Sequence, residues 1–276
     1  MPIEKVTLTE ERETLLITLY CKAGESLLPD SLLQDRFAAE AVSKIDYDFA
    51  KLQIDRDLMI GVAMRAHILD GWTREFIAHH PDATVLHLGC GLDSRIFRID
   101  PPPGIGWFDV DYPEVVALRR RLYPERDGYS LIGASVTDPA WLGEVPTDRP
   151  ALILAEGLLP YIAEDEVPRL LRRLTEHVAS GELAFDGYSW LGLWFIRNQP
   201  SVRATGATLH WTLDNPQALE TQVPRLRLMT DLMAYDPDGY DPKQVARMSW
   251  PARLAVSVFA AIAPLARLGR LVRYRF

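Results

Sequence analysis

The apolar positions change their period once along the chain, near residue 80. Before that point Ile60, Met64, Ile68, Trp72 and Phe76 recur at steps of four, and they line one face of a helix of about five turns. That face is expected in the core. Upstream, Thr7 and Glu10 have the spacing of a capping box ahead of Leu15, Leu16 and Leu19, and a second helix is expected after Asp30. Pro81 and Asp82 end the helical region. Short β-type runs then alternate with helical ones: 84–88, 106–110, 129–134, 151–155 and 182–188 read as strands, and 164–179 as a helix closed by Gly181. Such alternation needs crossover connections and so predicts an α/β fold, a Rossmann-like, mostly parallel sheet with helices on both faces. Ligands of these sheets bind at the carboxyl ends of the strands.

After Tyr188 the pattern weakens. Trp190, Leu191, Leu193, Trp194, Phe195 and Ile196 form an apolar cluster, and a possible strand pair follows around Arg225 to Tyr235. This stretch is either a lid or the remainder of the sheet. The expected division is a helical N-terminal cap, residues 1–80, packed on a ligand-binding domain, 81–276, whose lid lies at about 189–225.

Composition narrows the classes. With 276 residues, 48% apolar and 25% charged, the chain is an ordinary globular protein whose core needs no disulfide or metal staple. Cys21 and Cys90 lack CxxC spacing and the six His include no HExxH, so no metal site is expected and a reducing cytoplasm fits best. Neither a signal-like start nor an apolar run of ~20 residues is present, so a cytoplasmic protein without an integral membrane segment is expected. A net charge of −8 argues against nucleic acid as partner. One segment departs from that balance: from Ser249 onward come Arg253, Arg267, Arg270, Arg273 and Arg275 and no acid. It is expected to pack its apolar residues on the body and pair its arginines with the acidic surface. The alternative is a basic amphipathic helix on a membrane or partner.

The main chemical signal is Val85-Leu86-His87-Leu88-Gly89-Cys90-Gly91-Leu92-Asp93-Ser94-Arg95, an apolar strand running into a Gly-x-Gly turn. Gly89 and Gly91 let the backbone turn sharply and approach a ligand. Twenty residues beyond Gly91 comes Asp111, where a carboxylate can accept both hydroxyls of a ribose. Strand, turn and distal acid describe a site for an adenosine-bearing cofactor. Dinucleotide sites use a third glycine to bring a helix N-terminus to a pyrophosphate. Ser94 stands there instead, which favours S-adenosylmethionine, with methyl transfer over hydride transfer. A nicotinamide-dependent oxidoreductase and a non-catalytic binding protein are the alternatives.

With these residues the chain resembles the leucine carboxyl methyltransferase family, including its tetracenomycin-type polyketide O-methyltransferases. "LGCGLDSRIFR" after Val85, "FDVDYPEV" from Phe108 and "AEGLLPYI" from Ala155 carry the resemblance. It implies a class I methyltransferase fold and an S-adenosylmethionine-dependent O-methyltransferase that releases S-adenosylhomocysteine. The acceptor would be a carboxyl or hydroxyl group of a small, apolar or polyketide-like metabolite. In "GVAMRAHILD" the resemblance makes Arg65 the cation for the methionine carboxylate, and it places Glu156 near the cofactor. Beside the adenine, where the family often has Asp, this chain has Ser135, next to Val136.

Each residue also has a plainer reading. Arg65 could be a rim cation paired with Asp70 or Asp93, Asp111 a helix cap, and Glu156 an acceptor of backbone amides. Tyr161, Tyr188 and Trp194 are acceptor-binding candidates that could equally be packing residues. Asp93, Arg95 and Arg98 are expected to form a structural salt-bridge network, His87 to be an interior histidine, and Cys90 to be a small buried residue. No catalytic base stands out. A carboxylate acceptor, ionised at neutral pH, would need none.

Overall fold

The computed structural model describes residues 4–5, 13–235 and 239–276. The Thr7–Glu10 capping box lies outside them. Seven strands form the main sheet: β1 (Thr84–Leu88), β2 (Gly106–Asp111), β3 (Tyr129–Gly133), β4 (Ala151–Ala155), β5 (Gly181–Tyr188), β6 (Arg227–Met233) and β7 (Gly269–Arg275). Their order is β3-β2-β1-β4-β5-β7-β6. Strands β1 to β5 are parallel, and β7 runs antiparallel to both of its neighbours. The chain winds outward from β1 in one direction and from β4 in the other, so a crevice opens between their carboxyl ends.

The helices follow from local signals. α1 (Thr14–Ser26) and α2 (Arg36–Ser43) precede the sheet, and the Asp35 carboxylate caps α2 by accepting from the Ala38 N–H at 2.9 Å. α3 (Arg56–His79) is capped in the same way by Asp55 and ends before Pro81. α4 (Arg95–Ile99), α5 (Pro113–Leu122) and α6 (Glu166–His177) connect the strands, α5 opening with Pro at its first position. α7 (Trp190–Arg197), α8 (Pro200–Thr205) and α9 (Ala218–Gln222) lie between β5 and β6. α10 (Pro242–Val245), α11 (Trp250–Ala261) and α12 (Ala263–Ala266) lie between β6 and β7.

Two apolar layers sandwich the sheet. Leu86, Leu88, Ile153 and Phe185 pack with Leu170 and Leu174 of α6, while Val85, Trp107 and Leu154 pack on the other face with Leu69 and Phe76 of α3. A third cluster sets Leu16 and Leu19 of α1 against Val62, Leu92 and Leu118, which fastens α1 over the turn that follows β1. Within the expected stripe of α3, Ile60, Met64 and Phe76 are buried and Ile68 and Trp72 half-buried.

Two expectations are corrected. The stretch from Arg225 to Tyr235 holds one strand, β6, whose partner is β7. The arginine-rich C-terminal segment packs its apolar residues and pairs its arginines as expected, but not as a tail on the surface: β7 is inserted between β5 and β6. Leu271, Val272 and Tyr274 supply its buried apolar positions. Its arginines are tolerated inside because carboxylates meet them: Arg270 pairs with Asp231 at 2.9 Å, and Arg273 with Glu182 at 2.5 Å and Glu75 at 2.7 Å.

Candidate functional site

β1 leaves the sheet through Gly89 and Gly91, both in the left-handed region at φ 56° and 50°. A Cβ at Gly89 would also stand 2.6 Å from Leu158 Cδ1. Arg119 of α5 clamps the turn from below, donating to the Gly91 and Asp93 carbonyls, each at 2.9 Å. From the end of β2 the Asp111 carboxylate accepts from the Gly91 N–H and the Tyr112 N–H, both at 2.7 Å. Burial pushes this carboxyl above the usual aspartate range, while the two N–H bonds and Arg119 act in the opposite direction. Asp111 thus braces backbone and faces the cavity at once.

Behind the turn lies a buried lattice of charge. Glu156, at the end of β4, is met by Lys22 of α1 at 3.0 Å, by Arg65 of α3 at 3.1 Å and by Arg95 of α4. Despite the desolvation that raises it, the Glu156 carboxyl is held well below the usual glutamate range by these three cations. Lys22 and Arg98 also reach Asp93, at 2.8 and 3.1 Å, and Arg98 continues to Asp70 and Asp35. The expected Asp93–Arg95–Arg98 network is therefore present, and it is larger than the local sequence suggests.

Arg65 pairs with neither Asp70 nor Asp93. It donates to Asp186 of β5 at 2.9 Å and to the Tyr188 hydroxyl at 3.0 Å, besides the contact with Glu156, and its Nε is buried without a partner among the described residues. Glu156 accepts from side-chain cations, not from backbone amides. The backbone acceptor is Asp186, which takes the Gly157 N–H at 2.5 Å. Tyr188 donates to Asp186 at 2.9 Å, and burial beside that carboxylate pushes its phenol well above the usual range. Burial likewise pushes the Cys90 thiol up, against a role as nucleophile. His87, inside β1, accepts from Arg95 Nη1 at 3.2 Å.

One cavity of about 930 Å³ brings most of these residues together. Gly89, Gly91, Asp111 and Arg65 line it with Ser135, Val136, Glu156, Tyr161 and Tyr188. Ser135 Oγ lies 2.9 Å from Thr137 Oγ1. Trp194 is the exception: it is 53% exposed and off the cavity wall. Helix geometry explains this, because Gly192, Phe195 and Ile196 occupy the inward side of α7, which leaves Trp194 and Trp190 on the opposite side. Sequence reading missed Asp186 and Lys22 at the polar end, and Val256 and Phe259 of α11 at the apolar end. For Asp186 a signal existed, an acid just before the strand's last Gly-Tyr. Lys22 offered none, since its partners lie 71 and 134 residues away.

The comparisons with known proteins fit this geometry. The leucine carboxyl methyltransferase family profile matches residues 16–129. The tetracenomycin polyketide synthesis O-methyltransferase TcmP of Streptomyces glaucescens is 49% identical over 81% of this chain and 83% of its own length. The S-adenosyl-L-methionine-dependent methyltransferase dpfgK of Gibberella zeae is 40% identical over 81% of this chain and 82% of its own. Among solved structures, a DUF574 family protein from Streptomyces avermitilis superposes with a TM-score of 0.63 at 15% identity, covering 97% of each chain. The protein thus has the class I methyltransferase fold, and it belongs to the leucine carboxyl methyltransferase family as an S-adenosylmethionine-dependent O-methyltransferase.

Proposed function

We propose that this enzyme methylates a carboxyl oxygen of a small, apolar, polyketide-like metabolite. The observation that carries the reading is the continuity of one cavity, from the glycine turn, Asp111 and Arg65 at one end to Phe195, Val256 and Phe259 at the other. The polar end fits S-adenosylmethionine. Gly89 and Gly91 leave a side-chain-free cradle, Asp111 offers an anchored carboxylate for the ribose hydroxyls, and the unpartnered Arg65 Nε is a donor for the methionine carboxylate. Ser135 and Val136, which line the same end, would flank the adenine, and Glu156 would act through the cations it orders. In this reading the described residues of 1–80, α1 to α3 above all, form the cap over the cofactor end, and 189–225 together with α11 enclose the acceptor.

When bound, S-adenosylmethionine supplies a methyl group already activated on a sulfonium. What remains for the chain is to hold the acceptor oxygen in line and to exclude water, and placement of that kind can remove ~7–11 kcal/mol of barrier. Arg65 and Tyr188 form a rigid floor, because Asp186 holds both. Asp186 and Glu156 are engaged by cations, and Tyr188 keeps its proton, so these three are not disposed to deprotonate an acceptor, and His210, which lines the same cavity, is the one imidazole outside the sheet that a hydroxyl acceptor could use. A carboxylate, ionised at neutral pH, needs no such help. The comparison with TcmP, named for polyketide synthesis, supports a polyketide-like acceptor. The test is methyl transfer from labelled S-adenosylmethionine to paired aromatic acids and phenols of polyketide type. The expected product is an ester cleaved by mild alkali, formed at a rate nearly flat from pH ~6 to ~8. An alkali-stable ether would replace the carboxyl acceptor with a hydroxyl.

A further inference from the structure

α7 and α11 are apolar on both of their faces. Phe195 and Ile196 of α7 and Ala252, Val256 and Phe259 of α11 line the acceptor end of the cavity. The rings of Phe195 and Phe259, 6.3 Å apart, join the two helices on this inner side. On the outer side Trp190 and Trp194 are 68% and 53% exposed, and Trp250, Leu254, Val258 and Ile262 are 70%, 57%, 43% and 44% exposed. The last four recur at steps of four along α11 and just past its end. The cavity accounts for the inner faces. A helix that is apolar all round normally has a covering on both sides, and an exposed apolar patch of this kind marks a contact surface.

Charge indicates what covers it. Between Gly187 and Leu213, and again from Pro242 to Phe276, the sequence has no Asp or Glu, although the whole chain carries −8; the acids that touch these helices, Asp214 at the Trp190 N–H and Asp57 at Ser249, are each engaged at a helix start. The more buried arginines of the second segment are paired internally, Arg247 with Glu25, Arg270 with Asp231 and Arg273 with Glu182. Arg203, Lys243, Arg253 and Arg267 are exposed. A second copy docked through the same face would set like charges against each other across a two-fold axis. Anionic lipid headgroups complement them, and exposed tryptophans favour the depth at which headgroups meet acyl chains. Among the described residues no helix is long and apolar enough to cross a membrane, so the geometry is that of helices lying in the interface.

We propose that the outer faces of α7 and α11 dock this protein on an anionic lipid surface, so that the walls of the acceptor chamber meet the bilayer. Delivery of an apolar acceptor from the lipid rests on the function proposed above. The docking does not.

The test is co-sedimentation of the intact protein with phosphatidylcholine vesicles, with and without phosphatidylglycerol. Binding is expected only with the anionic lipid, weakened by salt, and accompanied by a blue shift of tryptophan emission. The double variant Leu254→Glu, Val258→Glu should bind at least about tenfold more weakly with an unchanged unfolding midpoint and unchanged methyl transfer to a soluble acceptor. Arg253→Glu changes two charges at ~1 kcal/mol each and should weaken binding about thirtyfold. Absence of binding by the folded protein would overturn the proposal, as would binding indifferent to the double variant. A dimer that the double variant dissolves would give the face to a second copy. Vesicle binding without methyl transfer to any acid or phenol would remove the proposed function and leave the docking intact.

Discussion

The two ends of the cavity are built on opposite principles. Around the glycine turn, Lys22, Arg95, Arg98, Asp35, Asp70, Asp93 and Glu156 are buried in a lattice in which every member has at least one opposite charge within reach. At the other end, the stretches between Gly187 and Leu213 and along α11 contain no acid, Asp214 and Asp57 from elsewhere only bind the starts of α7 and α11, and the walls are aromatic and aliphatic side chains on short helices. The first end must meet one polar cofactor, and its geometry is fixed by charges that share partners, so that moving one unbalances several. The second meets an apolar molecule, for which shape matters more than direction. The comparison teaches that damage should be severe and structural at the first end, and mild and confined to the acceptor at the second.

The sharpest way to break the comparison is Arg95→Ala. Arg95 is fully buried and donates to Asp70 at 2.8 Å and to Glu156, so its loss takes one cation from each of two buried carboxylates, leaving Asp70 with Arg98 and Glu156 with Lys22 and Arg65. Breaking an isolated buried pair typically costs ~3–5 kcal/mol, and with the remaining cations sharing the load the loss here is bounded by that figure, still a large share of the ~5–15 kcal/mol that stabilises a domain. The denaturant midpoint should fall steeply. The pH dependence has a definite sign: Glu156 and Asp70 are held below their ordinary values of 4.5 and 3.8, so Arg95 stabilises the fold above those values. The gap between wild type and variant should be widest near neutral pH and close as pH falls through and below that range. A gap that stays constant with pH would show that Arg95 acts through packing.

That lattice also marks how far the sequence was readable. The glycine turn, five parallel strands and the network at Asp93, Arg95 and Arg98 were visible because their signals are local: an apolar run, two glycines, charges on adjacent turns. The reach of the network to Lys22 and Glu156 was not, since a lysine on an amphipathic helix looks solvated until its distant partners are known. For β7 the pairing of arginines with acids was legible, but its place inside the sheet was not. Gly269–Arg275 carries three arginines in seven residues and resembles a basic tail, yet Arg273 is neutralised by Glu75 and Glu182, 198 and 91 residues away. Trp194 was misplaced because a cluster of apolar residues gives no phase. The helix it sits on does.

Asp111→Ala tests the polar end more gently. Loss of a charge-assisted contact to the ribose costs ~1.5–3 kcal/mol, so affinity for S-adenosylhomocysteine in calorimetry should drop by about one to two orders of magnitude. Because burial raises the Asp111 carboxyl above its ordinary 3.8, the wild-type affinity should begin to decline at a higher pH than an exposed aspartate would allow, as the ionised form is lost. The variant should lack that limb. Unchanged affinity in a folded variant would remove Asp111 from the cofactor site. Arg65→Ala should weaken S-adenosylmethionine more than 5'-methylthioadenosine, which has no carboxylate, and equal losses would assign Arg65 to the architecture alone.

At the apolar end effects should be smaller and selective. Phe259 packs on Tyr235 and on Phe195 and is half-buried, so Phe259→Ala removes contact area worth about 1 kcal/mol to an apolar acceptor. The acceptor KM should rise roughly fivefold while cofactor affinity stays constant. A parallel loss of cofactor affinity would mean that the two ends are not separable.

The finest distinction lies within α7, between neighbours. Phe195 lines the cavity and Trp194 does not, although their rings stack edge to face at 5.2 Å. Such a pair contributes ~0.5–1.5 kcal/mol beyond burial, so Trp194→Ala can act on the acceptor only by loosening Phe195, and that indirect effect is a fraction of the pair's value. With a soluble acceptor and no lipid present, KM should change by less than about twofold, below the effect of Phe195→Ala, with stability within ~0.5 kcal/mol of wild type. Equal KM effects from the two variants would put Trp194 inside the chamber. The outer face of α7 would then be part of the acceptor site, and the separation of inner from outer faces that distinguishes this end of the molecule would fail.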